Sequence, residues 1–269
     1  MSARVLVVRS GENTLPFAPE MSDLEIVEKI SHQILPLAPP EDAFDEPADL
    51  VIFTSQIAVR RVTEEPALRS RFAAAVRTGQ VAAVGPATAE ALAESGFPPG
   101  IVAHGSAENV LEQIPGRLDG MRVLLPRGED ASEELREGLI HRGARVAPVV
   151  LYRKVPRPPD RDISKEILER PFAAFCTTSP AAARWLLEGL SVPALARLKL
   201  TPAVVLGRFT ARFLDSHGVG RIEISPEATF SSAAELLAAL ARGESGRGTT
   251  YDDTASPTVR HFPKPRFES

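Results

Sequence analysis

Two stretches of the chain repeat one order of apolar and polar residues. In Val81–Gly96, VAAVGPATAEALAESG, an apolar strand over Val81–Val84 leads through a glycine-proline turn into an alanine-rich helix that ends at a glycine. In Ala203–Gly218, AVVLGRFTARFLDSHG, the same strand, glycine, helix and final glycine recur. The first N–H groups of a helix have no backbone partner, so a glycine turn before a helix can hold an anion. The repetition therefore predicts two anion-binding turns.

The repeat extends outward from these turns. Each copy follows an apolar strand that ends in Thr-Ser, within Asp49–Val59 (DLVIFTSQIAV) and Phe172–Ala182 (FAAFCTTSPAA). A third matching pair is Arg122–Glu129 (RVLLPRGE) and Arg4–Glu12 (RVLVVRSGE). Arg122–Glu129 follows the other motifs of its copy of the repeat. Arg4–Glu12 instead stands at the N-terminus, far from the other motifs of its copy. The simplest arrangement is two similar α/β domains, one of them assembled from both ends of the chain.

Strand and helix patterns alternate along the chain, and apolar runs such as Val5–Val8 indicate strands buried on both faces of a sheet. We predict an α/β fold of two similar doubly wound parallel-sheet domains with a cleft between them. Residues 38–152 form one domain, and residues 1–36 with 158–243 form the other. Proline-rich segments near residues 34–40 and 155–160 are expected to cross between the domains and to pair as a two-stranded extended linker, its second crossing at 153–157.

Two further predictions concern shorter segments. Asp23–Ser31 is expected to form a short helix, because Leu24, Val27 and Ile30 fall on one side of it. Residues 244–269 are expected to form a disordered tail, because their composition shifts to Gly, Ser, Thr, Pro and Arg without an apolar period.

The composition of the chain excludes several classes of function. The 269 residues are 43% hydrophobic and carry a net charge of −4, which argues against a nucleic-acid partner. The sequence shows no apolar run of membrane-spanning length and no signal-peptide pattern, so we expect a cytoplasmic protein without a membrane partner. The single cysteine, Cys176, lies among apolar residues as a packing thiol, and the five histidines form no close ligand pair. We expect a monomer that needs neither metal nor cofactor.

The motifs together resemble the uroporphyrinogen-III synthase family over roughly Arg4–Leu240. The resemblance rests on FTS-x-x-AV, VG-x-AT-A-x-x-L-x-x-x-G, RVLLPRGE followed by HRGARV, P-x-x-x-Y ending at Tyr152, and TTSP-x-A, in that order. Two features depart from the family. Phe209 stands where a second threonine is common, and His32-Gln33 replaces a leucine-rich stretch that ends in glycine.

The resemblance implies two α/β domains joined by a two-stranded ladder, with the active site in the cleft. It implies a lyase of tetrapyrrole and haem biosynthesis that cyclises hydroxymethylbilane, a linear tetrapyrrole with eight carboxylates. The reaction removes water and inverts the last pyrrole ring. The reactive azafulvene belongs to the substrate, so the protein has to fold the substrate, bind carboxylates and assist departure of hydroxide. The resemblance assigns that assistance to Tyr152, which could instead be a half-buried aromatic residue of the last strand.

The candidate substrate-binding residues lie at strand ends and helix starts. They are Arg9, Thr54, Ser55, Gly85, Thr88, Arg127, Thr178, Ser179, Gly207 and Thr210. Each has a plainer alternative. The hydroxyls could serve only as helix N-caps, the glycines could only permit turns, and the arginines could pair with Glu12 or Glu129. The alternative function is that of a non-catalytic two-lobed relative that binds a ligand or a partner protein, and Phe209 is the feature that favours it.

Overall fold

The computed structural model describes residues 2–11, 19–103, 107–114, 116–158, 160–244 and 248–251. Its strands are β1 (Arg4–Ser10), β2 (Glu25–Pro36), β3 (Leu50–Phe53), β4 (Gln80–Val84), β5 (Ile101–Ala103), β6 (Arg122–Gly128), β7 (Arg145–Pro156), β8 (Ala174–Thr177), β9 (Ala203–Val205), β10 (Ile222–Ile224) and β11 (Thr249–Thr250). Its helices are α1 (Gln56–Thr63), α2 (Pro66–Ala75), α3 (Pro86–Glu94), α4 (Ala107–Gln113), α5 (Glu134–His141), α6 (Arg161–Glu169), α7 (Pro180–Gly189), α8 (Val192–Lys199), α9 (Arg208–Ser216) and α10 (Phe230–Ala241).

The strands form one sheet in the order β11-β10-β9-β8-β1-β2-β7-β6-β3-β4-β5. Neighbours are parallel except for β2 with β7 and β10 with β11. The predicted α/β class with a mainly parallel sheet is therefore confirmed. The N-terminal strand β1 pairs with β8, Val5 opposite Ala174, as the displaced position of its motif predicted.

Helices cover both faces of the sheet at each end. Alternate residues of β1 point to opposite sides, so that Leu6 and Val8 pack with α7 and α9, whereas Val5 and Val7 pack against α10. At the other end, one cluster joins β3 to α1, α2 and α3, and another joins β3 and β6 to α4 and α5. Continuous apolar strands are buried on both faces in this architecture.

Strands β2 and β7 join the two ends of the sheet. Each is long enough to have two partners: the first half of β2 runs parallel to β1, and the first half of β7 runs parallel to β6. Their second halves form an antiparallel ladder from His32 opposite Pro156 to Pro36 opposite Tyr152. Tyr152 is thus the residue at which β7 leaves β6 and joins β2.

The predicted helix at Asp23–Ser31 is wrong, because residues 25–36 form β2. Its charged side chains have ion-pair partners far away in the sequence: Glu25 binds Arg4, and Lys29 binds Asp160 at 2.7 Å. These contacts stabilise an extended, mixed-polarity segment that is also rich in β-branched residues. Helices α2 and α8 were not predicted.

The tail also differs from the prediction. Thr249 and Thr250 pair antiparallel with β10, and the Tyr251 N–H donates to the carbonyl of Ile222 at 2.8 Å. An edge strand offers unpaired backbone groups to such a segment. Residues 245–247 and 252–269 of the predicted tail lie outside the described residues, as does Glu12.

No helix among the described residues has both the length and the apolar character needed to cross a bilayer.

Candidate active site

A cavity of about 630 Å³ lies where residues from both ends of the sheet meet. Its wall includes Arg9, Thr178 and Phe230 from the β1–β8 side and Thr54 and Ser55 from the β3 side. These positions follow the carboxyl ends of parallel strands, where open α/β sheets bind ligands. The volume falls within the range of small-molecule sites, about 300–1,000 Å³.

The hydroxyls of Ser55 and Tyr152 lie 3.0 Å apart. Ser55 is the N-cap of α1, and its Oγ accepts a hydrogen bond from the Ala58 N–H at 3.1 Å. Ser55 lines the cavity, whereas Tyr152 is only 3% exposed and packs in the core behind it. Tyr152 therefore reaches the cavity through Ser55.

Gly128 makes room for the Tyr152 ring. A Cβ at Gly128 would lie 2.8 Å from two ring carbons, closer than a packed side chain tolerates. Gly128 stands opposite Tyr152 in the pairing of β6 and β7, directly after an irregularity in the register. The sequence motif RVLLPRGE thus supplies both the strand and the space for the ring.

Arg9 and Arg127 occupy matching places, each before a register shift at the end of its strand. Both are buried and have partners within the protein. Arg9 binds the Glu28 carboxylate and donates to the Gly11 carbonyl at 2.8 Å. Arg127 lies 2.8 Å from Glu133.

The expected partner of Arg9, Glu12, lies outside the described residues, whereas the expected partner of Arg127, Glu129, is paired elsewhere. Glu129 binds Arg153 instead of Arg127, and that ion pair lowers the pKa of the Glu129 carboxyl. Arg9 contributes to the cavity wall, whereas Arg127 is absent from the described part of it. Both guanidinium groups hold the ends of their strands in place.

The hydroxyl residues after β3 and β8 divide into two kinds. Thr54 is exposed and Thr178 is half-buried, and both line the cavity. Ser179 caps α7 through a hydrogen bond from the Ala182 N–H at 3.2 Å, as Ser55 caps α1. The repeat therefore supplies one cavity-lining hydroxyl, without a hydrogen bond to any described residue, and one capping hydroxyl on each side.

The two glycine turns differ in conformation. Gly85 has φ +88°, which favours glycine, whereas Gly207 is extended at φ −171°, which any residue can adopt. A Cβ added at either position would meet no atom within 4 Å, so packing does not require glycine at Gly207. Thr88 and Thr210 are buried in the first turns of α3 and α9, and the cavity wall there is formed by Ala87 and Leu206.

Sequence reasoning missed two arginines of the cavity wall, Arg60 and Arg61 on α1. Within the described ranges neither has an ion-pair partner, and Nε of Arg61 is buried without a hydrogen bond. They follow the FTS motif by about one helical turn. This position after the FTS motif was the sequence signal that could have identified them. Whether an arginine has an ion-pair partner, however, depends on residues that are distant in the sequence.

A small polar group supports the cavity at the end of β1. Ser10 lines the cavity, and its Oγ lies 3.5 Å from Nδ1 of His32. Ser31 Oγ donates its one hydrogen to the Arg9 carbonyl at 2.9 Å, so it accepts from the same His32 nitrogen, which lies 2.9 Å away. Burial, and secondly the charge of Lys154, lower the pKa of His32, so its neutral form is favoured.

Cys176, outside the site, behaves as the sequence predicted. Cys176 is fully buried, and burial raises its pKa to about 12, so it is an inert packing thiol. Trp185 packs in the core and donates from Nε1 to the Arg157 carbonyl at 2.7 Å.

Comparison with known proteins points to one family. A family model described as "Uroporphyrinogen-III synthase HemD" matches residues 24–235. A protein of Methanothermobacter thermautotrophicus, named "Putative uroporphyrinogen-III synthase", is 32% identical over 202 residues, which cover 72% of this chain and 77% of that protein.

Two solved structures have a similar fold. A mutant uroporphyrinogen III synthase of the extremely thermophilic bacterium Thermus thermophilus aligns with a TM-score of 0.60 at 22% identity, covering 90% of this chain and 97% of that one. Uroporphyrinogen-III synthetase of Helicobacter pylori aligns with a TM-score of 0.58 at 19% identity, covering 89% and 100%. At these identities the structural likeness is evidence for the fold.

Proposed function

Because this chain belongs to the uroporphyrinogen-III synthase family, we propose that it closes hydroxymethylbilane into uroporphyrinogen III, with loss of water and inversion of the last pyrrole ring. The observation that carries the proposal is the cavity between the two ends of the sheet. It combines the cavity-lining hydroxyls of Thr54 and Thr178 with a donor pair, Ser55 and Tyr152. The hydroxyls can donate hydrogen bonds to the carboxylates of the substrate, and the donor pair can supply the proton that hydroxide needs in order to depart.

The hydrogen-bond count at Ser55 supports a role in proton delivery. A serine hydroxyl has one hydrogen to donate and two lone pairs to accept with. Ser55 Oγ accepts from the Ala58 N–H, and a phenol is a better donor than an alcohol, so we assign Tyr152 as the second donor. The single hydrogen of Ser55 is then free to point into the cavity, where Ser55 lies.

In this scheme Tyr152 and Ser55 act as a relay. Ser55 donates its proton to the departing hydroxide, which leaves as water, and Tyr152 replaces that proton. Tyr152 is buried, so it supplies a proton without being open to side reactions with the electrophile. The azafulvene that forms belongs to the substrate, and the protein's task is to hold the tetrapyrrole so that ring inversion competes with simple closure.

We also propose that the two ends of the sheet are the two expected domains, residues 1–36 with 158–243 and residues 38–152. The two are linked through the β2–β7 ladder, whose position beside Tyr152 would couple closure of the cleft to the relay. Matching strand–hydroxyl–helix units on each side then hold carboxylates from different parts of one substrate.

The test is incubation with freshly prepared hydroxymethylbilane, followed by oxidation and chromatography of the products. The substrate closes unaided to uroporphyrinogen I, so a parallel reaction without protein gives the background. Faster consumption with isomer III as product supports the proposal. Consumption at the background rate would instead favour a non-catalytic relative that binds a ligand or a partner.

A further inference from the structure

One face of α1 forms part of the cavity wall. Gln56, Ile57, Arg60, Arg61 and Glu64 all line it, at the spacing that places residues on one side of a helix. The opposite face is buried in the core through Ala58, Val59, Val62 and Thr63. The orientation of the two arginines toward the cavity is therefore fixed by the packing of α1.

Both arginines of this face keep their positive charge unpaired with respect to the described residues. Across the described ranges, no carboxylate lies within 4.0 Å of the guanidinium of Arg60 or Arg61, although Glu64 shares their face. Arg9, the third arginine of the wall, is paired with Glu28. The chain as a whole is acidic, with a net charge of −4, so a local excess of positive charge here is a specific feature of the cavity.

Arg61 also has an unsatisfied donor. Within the described ranges its Nε is shielded from solvent and has no hydrogen-bond partner. A buried donor left unpaired is costly, so turning the side chain to pair Nε with an anion in the cavity would be favourable. Guanidinium groups bind carboxylates through two parallel hydrogen bonds, and the proposed substrate carries eight carboxylates, so a carboxylate is the anion that we assign to the pair.

We propose that Arg60 and Arg61 together bind one carboxylate arm of the substrate and so contribute to recognition of a polycarboxylate. The proposal deepens the proposed function and rests on it for the identity of the substrate. Arg60 lies five residues beyond Ser55, about 7.5 Å along the helix axis at 1.5 Å per residue. The arm is therefore held at a fixed distance from the hydroxyl that we assign to proton delivery.

Binding is tested with uroporphyrin I, a fluorescent octacarboxylate macrocycle, titrated against the full chain. Arg60→Gln and Arg61→Gln should each weaken binding about tenfold or more, as expected for loss of a charge-assisted hydrogen bond. Arg61→Lys keeps the charge but loses the planar guanidinium, so its affinity for uroporphyrin I should lie between those of the unchanged chain and Arg61→Gln. Glu64→Gln should strengthen binding, because it removes a negative charge from the same wall.

Arg77→Gln is the matched control. Arg77 is exposed in the turn after α2, also without an ion-pair partner in the described part of the chain, and away from the cavity wall. It should bind uroporphyrin I as the unchanged chain does. The differences at Arg60 and Arg61 should shrink in about 0.5 M salt, because exposed charges are screened there.

Steady-state kinetics with hydroxymethylbilane test the role of the two arginines independently of the binding titration. If the arginines bind an arm equally in the ground and transition states, KM for hydroxymethylbilane rises with kcat nearly unchanged. Arginine variants that bind uroporphyrin I normally and keep a normal KM would overturn the inference and leave the proposed function standing. Arginine-dependent binding by a chain that forms no isomer III would support the inference while the proposed function fails.

Thermal stability separates binding from a role in the helix alone. The arginines lie in the last turn of α1, where a positive charge favours the helix dipole. Variants that melt earlier but bind uroporphyrin I normally would contradict the proposal. Unchanged melting with weakened binding is the expected result.

Discussion

Tyr152 and Ser55 belong to different motifs of the chain, yet their hydroxyl oxygens are 3.0 Å apart. The contact joins the point where β7 changes partners to the N-cap of α1. It turns a buried phenol and a cavity serine into one unit.

Tyr152→Phe should lower kcat more than it raises KM, because the change removes a proton donor and almost no volume. The loss should not exceed about 10²–10⁴-fold, the usual contribution of one general acid. Ser55→Ala should have a similar effect, and the double variant should be little worse than either single one, because both belong to one relay. Tyr251→Phe, the other tyrosine of the chain, is the control.

The relay would be contradicted by unchanged kcat in Tyr152→Phe. It would also be contradicted by losses in the two single variants that simply multiply in the double variant.

Gly128→Ala should displace the Tyr152 ring, because the added Cβ would lie 2.8 Å from two ring carbons. We expect a loss of about 1–3 kcal/mol in unfolding free energy, typical of overpacking, and a lower kcat. Gly100→Ala, where nothing lies within 4 Å, is the control. Normal melting and kcat in Gly128→Ala would show that Tyr152 has room to move.

Gly85→Ala and Gly207→Ala should differ in stability. The backbone of Gly85, at φ +88°, costs an L-residue about 1–3 kcal/mol. Gly207 is extended, so its change should stay within about 0.5 kcal/mol. Denaturant unfolding gives both values. If Gly207→Ala is stable yet binds uroporphyrin I weakly, a ligand approaches that turn closely; equal losses of stability would contradict the assigned conformations.

The segment that carries β11 should contribute to stability. Thr250 donates to the Glu223 carboxylate at 3.0 Å, and Tyr251 packs against the core. A chain ending at Gly243 should be about 1–2 kcal/mol less stable than one ending at Asp252. At about 2–4 °C per kcal/mol, differential scanning calorimetry resolves this difference in Tm. Identical melting of the two truncated chains would show that β11 adds nothing.

His32 should make stability pH-dependent below neutrality. Its folded pKa is lowered, so the unfolded chain binds the proton more readily, and stability is present above about pH 6.5 and lost as pH falls below it. His32→Gln should flatten the dependence of unfolding free energy on pH between about 7 and 5. An equally steep profile in the variant would assign the dependence to other groups.

Secondary structure was predicted correctly where neighbouring residues in the sequence determine it. The strand β4, the helix α3 and the left-handed Gly96 after it follow from an apolar run, a glycine-proline turn and a terminal glycine. Strand β2 was missed because Glu25 and Glu28 are balanced by Arg4 and Arg9, which only the folded sheet brings near.

The candidate site was predicted less completely for the same reason. The hydroxyls Thr54, Ser55 and Thr178 were found because strand ends meet in parallel sheets. The sequence also selected Arg9 and Arg127, which the fold uses for its own ion pairs. Pairing and burial are properties of the whole fold.

The isomer of the product tests the central claim most directly. Hydroxymethylbilane closes unaided to uroporphyrinogen I, so isomer III reports that the chain controls ring inversion. Thr178→Ala removes a cavity-lining hydroxyl of the β8 side and spares Ser55 and Tyr152, so it should leak product toward isomer I if both sides of the cavity hold the substrate. We expect isomer III from the unchanged chain and a raised ratio of isomer I to isomer III from Thr178→Ala; isomer I alone from the unchanged chain would contradict the proposed function.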